Sequence, residues 1–228
     1  LVKPPVVLLH GLWADADKEN ENEKTWGTLT TRLKADFGYQ YIIDDPYSNA
    51  DSFDQLKSVV GDRIDSALNL AINDNIVAKK ADVVAHSMGG VITKLSDGNE
   101  SKINSITTVG TPHFGSPLAD ILWALVDDEN DPVKNFFATL FEISGHPVRN
   151  GAISDLRTTI LHVEANRIDV PLCVIAGVSA IEDQAIKFVN LLKEVYGFQM
   201  NPPLEDSLLK INQYFFNGEA NDWIVSES

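Results

Sequence analysis

Apolar positions along this chain fall into two rhythms, short unbroken runs and longer stretches in which they recur every third or fourth residue. Val6-Val7-Leu8-Leu9 is an unbroken run of the kind a strand covered on both faces requires. Residues Ala14 to Glu23 are nearly all polar and read as a surface loop. Thr25 then reads as the N-cap of a helix carrying Trp26, Leu29, Leu33 and Phe37 on one face, and Gly38 ends it. Tyr41-Ile42-Ile43 is a second strand, closed by Asp44-Asp45-Pro46. Asp51 or Ser52 opens the longest amphipathic segment, whose Phe53, Leu56, Val60, Ile64, Leu68 and Ile72 form a stripe that faces the sheet.

The same alternation continues. Ala81 to Ala85 makes a strand that enters a turn at Ser87 and then a helix, and Ile103 to Val109 makes another strand. Residues 145–160 read as loop and short helix, and Val170 to Ala176 as a further strand. From Ile181, the positions Ala185, Phe188, Val189, Leu192 and Val195 repeat at helical spacing until Asn201-Pro202-Pro203. A polar turn then leads into the short apolar stretch Trp223-Ile224-Val225. Strands alternating with helices imply an α/β fold with a mostly parallel central sheet flanked by helices. In such sheets ligands bind beyond the carboxyl ends of the strands, where both His10-Gly11 and Ser87 fall.

Segment 117–145 departs from this rhythm. Two strongly apolar patches, 121–126 and 136–141, are joined by the acidic run Asp127-Asp128-Glu129-Asn130-Asp131-Pro132, which fits two short helices with a solvated turn between them. They are either plain core helices or a lid-like insertion whose apolar face covers a pocket. On the second reading Trp123 and Phe137 are the candidate substrate-binding residues.

Composition narrows the picture. With 228 residues and 44% hydrophobic content, the chain suits one large α/β domain over 1–228. The 33 acidic against 18 basic side chains leave a net charge of −15, which disfavours nucleic acid and anionic membrane as partners. Cys173 is the single cysteine, so no intrachain disulfide can form, and its apolar run makes it a core residue. No apolar run approaches the length of a membrane span. Because the chain begins at Leu1 rather than Met, it is expected to be truncated at both ends.

Chemistry concentrates at Ala85-His86-Ser87-Met88-Gly89-Gly90. A serine on a sharp strand-to-helix turn is held in a strained conformation that lifts its hydroxyl above the sheet, and the strain demands small neighbours two residues before and after. Ala85 and Gly89 meet that demand, and Gly90 lets the helix pack closely beneath.

Four blocks occur in one order: Val6-Val7-Leu8-Leu9-His10-Gly11-Leu12, Ala85 to Gly90, Gly110-Thr111-Pro112-His113-Phe114-Gly115-Ser116-Pro117, and Asn221-Asp222-Trp223-Ile224-Val225. Together they resemble the bacterial triacylglycerol lipases and esterases of the α/β-hydrolase superfamily. The resemblance implies Ser87 as nucleophile, the backbone amides of Leu12 and Met88 as oxyanion donors, and Asp222 as the acid of the triad. It also implies structural roles for His10 and His113. At Asp222 the family pattern has a glycine where this chain has Trp223, and Glu182 and Asp183 are the nearest rivals as acid.

The fold's chain order of serine, acid, histidine puts the base after Asp222, yet no histidine follows it up to Ser228. His146 and His162 precede every candidate acid. Two expectations follow: a serine ester hydrolase whose histidine lies beyond this sequence, or an inactive α/β-hydrolase-fold binding module. The expected partner is an ester or lipid substrate, with no cofactor and no metal; Glu219 and Asp222 do not make a calcium pattern. The resemblance favours a secreted or periplasmic protein, and the oligomeric state is not legible.

Overall fold

Among the described residues, five parallel strands form a central sheet in the spatial order β2-β1-β3-β4-β5. The computed structural model describes residues 2–14, 25–48, 50–96, 98–124, 126, 130–143, 147–161 and 169–176, with side chains left out at 117, 121, 133, 136, 137 and 140. In sequence the elements are β1 (Val6–Leu9), α1 (Leu29–Ala35), β2 (Ile42–Ile43), α2 (Phe53–Asn73), β3 (Ala81–His86), α3 (Met88–Leu95), β4 (Ile103–Val109), α4 (Pro117–Ala124), α5 (Pro132–Ile143), α6 (Gly151–Asp155) and β5 (Leu172–Ile175).

β1 is buried at all four positions because it is covered twice. Val7 and Leu9 join the main core with α2 and α3, while Val6 and Leu8 join Ile42, Trp26 and Leu33 on the opposite face. The unbroken apolar run of the sequence therefore has its expected cause. From β1 the chain steps to β2 on one side and then returns to β3 on the other. That reversal creates a crevice at the carboxyl ends of β1 and β3, the place where doubly covered sheets bind ligands.

α2 spans 21 residues and begins as its sequence suggests, at Ser52. The Ser52 main-chain N–H donates to Gln55 Oε1, and the Phe53 N–H, left without an intrahelical acceptor, donates to Asp155 Oδ2 at 2.8 Å. Phe53, Leu56, Val60, Ile64 and Leu68 are buried as the stripe requires, but Ile72 is 53% exposed and Ala71 is buried in its stead. Each step of four residues over-rotates the helix by about 40°, so after four such steps from Leu56 the stripe has turned away from the sheet.

Three other expectations are corrected. α1 starts at Leu29 with Thr28, not Thr25, at the N-cap position. Gly27 has φ +47, a left-handed backbone that separates Trp26 from the helix. Phe37, placed on the apolar face by its spacing, is exposed. Cys173 is exposed rather than part of the core, since β5 is the last strand of the described sheet and Leu172, Val174 and Ile175 are exposed with it.

Segment 117–145 does contain two helices, α4 and α5, as its apolar patches suggest. Ala119, Leu122 and Ala138 from these helices are buried in the main core. Arg149 fastens α5 from outside, donating to Glu142 Oε1 at 2.8 Å and to Asn135 Oδ1 at 2.7 Å. Among the described residues, no helix is long and apolar enough to cross a membrane.

Candidate functional site

The carboxyl ends of β1 and β3 lie side by side because Leu9 pairs with Ala85. The next residues on each strand, His10-Gly11 and His86-Ser87, are therefore brought together. Ser87 occupies the turn between β3 and α3 with φ 53 and ψ −128, a conformation that costs a non-glycine residue energy and persists only where its surroundings hold it. Its surroundings do. The Ser87 N–H donates to Val109 O at 2.9 Å, and the Ser87 carbonyl accepts from Gly90 N–H at 3.0 Å.

The small residues around this turn answer to specific neighbours. A Cβ on Gly89 would stand 2.6 Å from Leu9 O and 2.7 Å from His10 O. A Cβ on Gly90 would stand 2.2 Å from Thr111 Oγ1. On Gly11 it would meet Ser87 Cβ at 2.6 Å, Ser87 Oγ at 3.1 Å and His86 Nδ1 at 3.3 Å. Gly11 is thus pressed against the serine, and the first turn of α3 against the end of β1. Met88 is fully buried, whereas Leu12 and Ser87 are half-buried.

His10 is buried and fully engaged. Its Nε2 accepts from the Tyr47 main-chain N–H at 3.2 Å, and its Nδ1 lies 3.1 Å from Gly11 O. An amide N–H can only donate and a carbonyl can only accept, so Nδ1 carries the hydrogen. The Tyr47 ring stacks on the imidazole, with centroids 3.9 Å apart and planes 12° apart, and the Tyr47 hydroxyl donates to His10 O. Burial lowers the His10 pKa, with Arg63 and His86 acting in the same direction, so the ring stays neutral. Burial likewise raises the Tyr47 pKa and keeps its hydroxyl a donor.

His113 is held by Thr108, whose Oγ1 lies 3.2 Å from its Nε2, and burial with help from Lys94 pushes its pKa down to about 4. After Leu12, Trp13 has φ +57, and its indole N–H donates to Pro147 O at 3.0 Å. That bond ties the loop after β1 to the segment after α5. Trp123 packs partly buried against the core, with the Arg157 guanidinium 4.6 Å from its ring centroid.

Of the residues singled out from the sequence, Ser87 and Met88 adjoin at the turn after β3, and Gly11, the neighbour of Leu12, lies against Ser87. Asp222, its rivals Glu182 and Asp183, and His146 and His162 lie outside the described residues, as does the side chain of Phe137. Among the described residues no group of three or more His, Cys, Asp or Glu side chains could hold a metal ion. Sequence reasoning missed Tyr47 and Thr111. A signal existed for the first: an aromatic residue just past the carboxyl end of a strand points toward the ligand-binding edge of such a sheet.

A mostly parallel sheet flanked by helices, with a strained serine turn at its switch point, defines the α/β-hydrolase fold. A family model described as a PGAP1-like alpha/beta domain matches residues 39–141. The chain is 28% identical over 171 residues to triacylglycerol lipases of Pseudarthrobacter phenanthrenivorans and Burkholderia plantarii, covering 68% of this chain. It spans about half the length of these curated relatives, 49% and 44% respectively. The crystal structure of the mature Bacillus licheniformis lipase BlEst2 is similar with a TM-score of 0.54 and 20% identity, over 85% of this chain and 75% of that one. The structural likeness shows the α/β-hydrolase fold.

Proposed function

We propose that this protein is a serine carboxylic-ester hydrolase, lipase-like in its substrates, that works through an acyl-enzyme on Ser87. The observation that carries the reading is the positive φ of Ser87 at the switch point, with Gly11 packed against its side chain. Ser87 Oγ attacks the ester carbonyl carbon while a histidine takes its proton. The tetrahedral intermediate then expels the alcohol, which receives that proton, and water repeats the sequence to free the acid.

Negative charge gathers on the former carbonyl oxygen. The Leu12 and Met88 amides are its donors, each worth ~3 kcal/mol in the transition state. Met88 opens α3, and the N–H of a helix's first residue has no intrahelical acceptor. Asp222 orients the base. That base is a histidine other than His10 and His113, whose rings are engaged by Tyr47, Gly11 and Thr108. Trp123 and Phe137 contact the acyl chain, with segment 117–145 as the lid. The triacylglycerol lipases among the relatives favour an acyl-glycerol or a similar lipid ester as substrate.

A fluorophosphonate probe applied to the protein as encoded in full tests this. Labelling that vanishes in Ser87→Ala is expected. An unlabelled protein would sink the reading in favour of a binding module that keeps the fold without the chemistry.

A further inference from the structure

Tyr47 makes three separate contacts with one residue of the loop beside Ser87. Its main-chain N–H, its hydroxyl and its ring face all engage His10, from a position 37 residues later in sequence. Simple filling of space requires only the ring. The two hydrogen bonds set direction as well, one fixing the plane and tautomer of the imidazole, the other fixing the His10 carbonyl.

That direction is handed on. The imidazole Nδ1–H of His10 donates to the Gly11 carbonyl at 3.1 Å. Gly11 and Leu12 share one planar trans peptide, in which the C=O and the N–H point opposite ways. Holding the Gly11 carbonyl toward the His10 ring therefore turns the Leu12 N–H away from it. The preceding peptide, His10–Gly11, is pinned through its carbonyl by the Tyr47 hydroxyl, and it carries the Cα that abuts Ser87. Both peptides that lead to the proposed oxyanion donor are thus oriented by groups that Tyr47 aligns.

We infer that Tyr47 is a positioning residue for the oxyanion site, acting through His10 to aim the Leu12 amide. The inference rests on the ester-hydrolase reading of Ser87. Tyr47 touches neither substrate nor nucleophile in this role. Its work is to keep a donor preorganised where charge develops, which is where such donors gain their effect.

The test compares Tyr47→Phe with the unsubstituted protein, both as encoded in full. Tyr47→Phe keeps the ring and the main-chain N–H and removes only the bond to His10 O. The expected result is a fall in kcat of about tenfold or more on a short soluble ester with KM within threefold, and an equal loss of affinity for an alkyl boronic acid, which binds as a tetrahedral adduct. The Leu12 amide cross-peak in a ¹H–¹⁵N spectrum shifts or broadens. Tyr47→Ala, which also loses the stack, deepens the kcat loss. A purely structural role lowers the melting temperature but leaves kcat, boronate affinity and the Leu12 amide unchanged, and that outcome overturns the inference. If the unsubstituted protein carries no Ser87-dependent label, the hydrolase reading alone fails. The Leu12 amide and the His10 ring nitrogen shifts then still decide whether Tyr47 aims the loop.

Discussion

Gly11 lies so close to Ser87 that a Cβ added to it would stand 2.6 Å from Ser87 Cβ and 3.1 Å from Ser87 Oγ. No real Cβ tolerates the first distance, so a side chain at 11 must displace either the serine or the loop after β1. Gly11→Ala is expected to slow fluorophosphonate labelling of Ser87 by roughly a hundredfold or more, since a misplacement of about 1 Å at a reacting centre has that effect. The check is the labelling rate, read beside the melting temperature. A labelling rate within twofold of the unsubstituted protein would show that the loop yields without cost.

The tight contact beneath the serine turn can be relieved from its other side. A Cβ at position 90 would meet Thr111 Oγ1 at 2.2 Å and Thr111 Cγ2 at 2.6 Å. Gly90→Ala is expected to destabilise the protein by roughly 1–3 kcal/mol, the usual range for overpacking. Thr111→Ala removes these two nearest atoms and leaves only Thr111 Cβ, at 2.9 Å, so the double variant should recover more than half of that loss. Urea denaturation of the four proteins in this cycle measures the coupling, and simple additivity would refute the contact.

His113 makes stability depend on pH in a defined direction. Its pKa is pushed from 6.5 to about 4, chiefly by burial and further by Lys94, with Thr108 Oγ1 on its Nε2. Between these values the unfolded chain binds a proton that the folded protein refuses. Stability is therefore complete above pH 6.5 and falls as the pH drops toward 4. His10, also lowered by burial, adds to the slope in the same sense. In His113→Gln the fall across this window should be shallower than in the parent, by urea denaturation at a series of pH values. Parallel curves would mean that His113 titrates normally in the fold.

Trp123 and Phe137 are expected to discriminate chain length if segment 117–145 meets the acyl chain. Alanine at either position should lower kcat/KM for a long-chain nitrophenyl ester about tenfold more than for a short one, because lost apolar contact weighs on the longer chain. The ratio between substrates is the readout, since Trp123 also packs on the core and beneath Arg157 and its loss reduces stability for both. An equal loss on both esters would assign α4 and α5 to the core alone.

Much of this architecture was legible because its causes are local. Val6 to Leu9 is apolar throughout since it is covered on both faces, and the small residues around Ser87 are small since the turn leaves no space for others. Periodicity misled where a second force intervened. Thr25 caps nothing because Gly27 breaks the backbone first, and Ile72 faces water because a four-residue spacing drifts around a straight helix. Cys173 was misjudged for another reason: an apolar run records a strand but not the strand's place in the sheet.

Chain order alone determined the parallel sheet, the serine turn and the loop that faces it, because strand, turn and helix preferences are written in neighbouring residues. Tertiary structure decided which distant groups meet them. Tyr47 reaches His10 only because β2 pairs with β1, and Asp155 caps α2 from 102 residues away. Contacts of that kind depend on how strands are ordered and helices packed, and no spacing of residues along the chain encodes a pairing between segments that folding alone brings together.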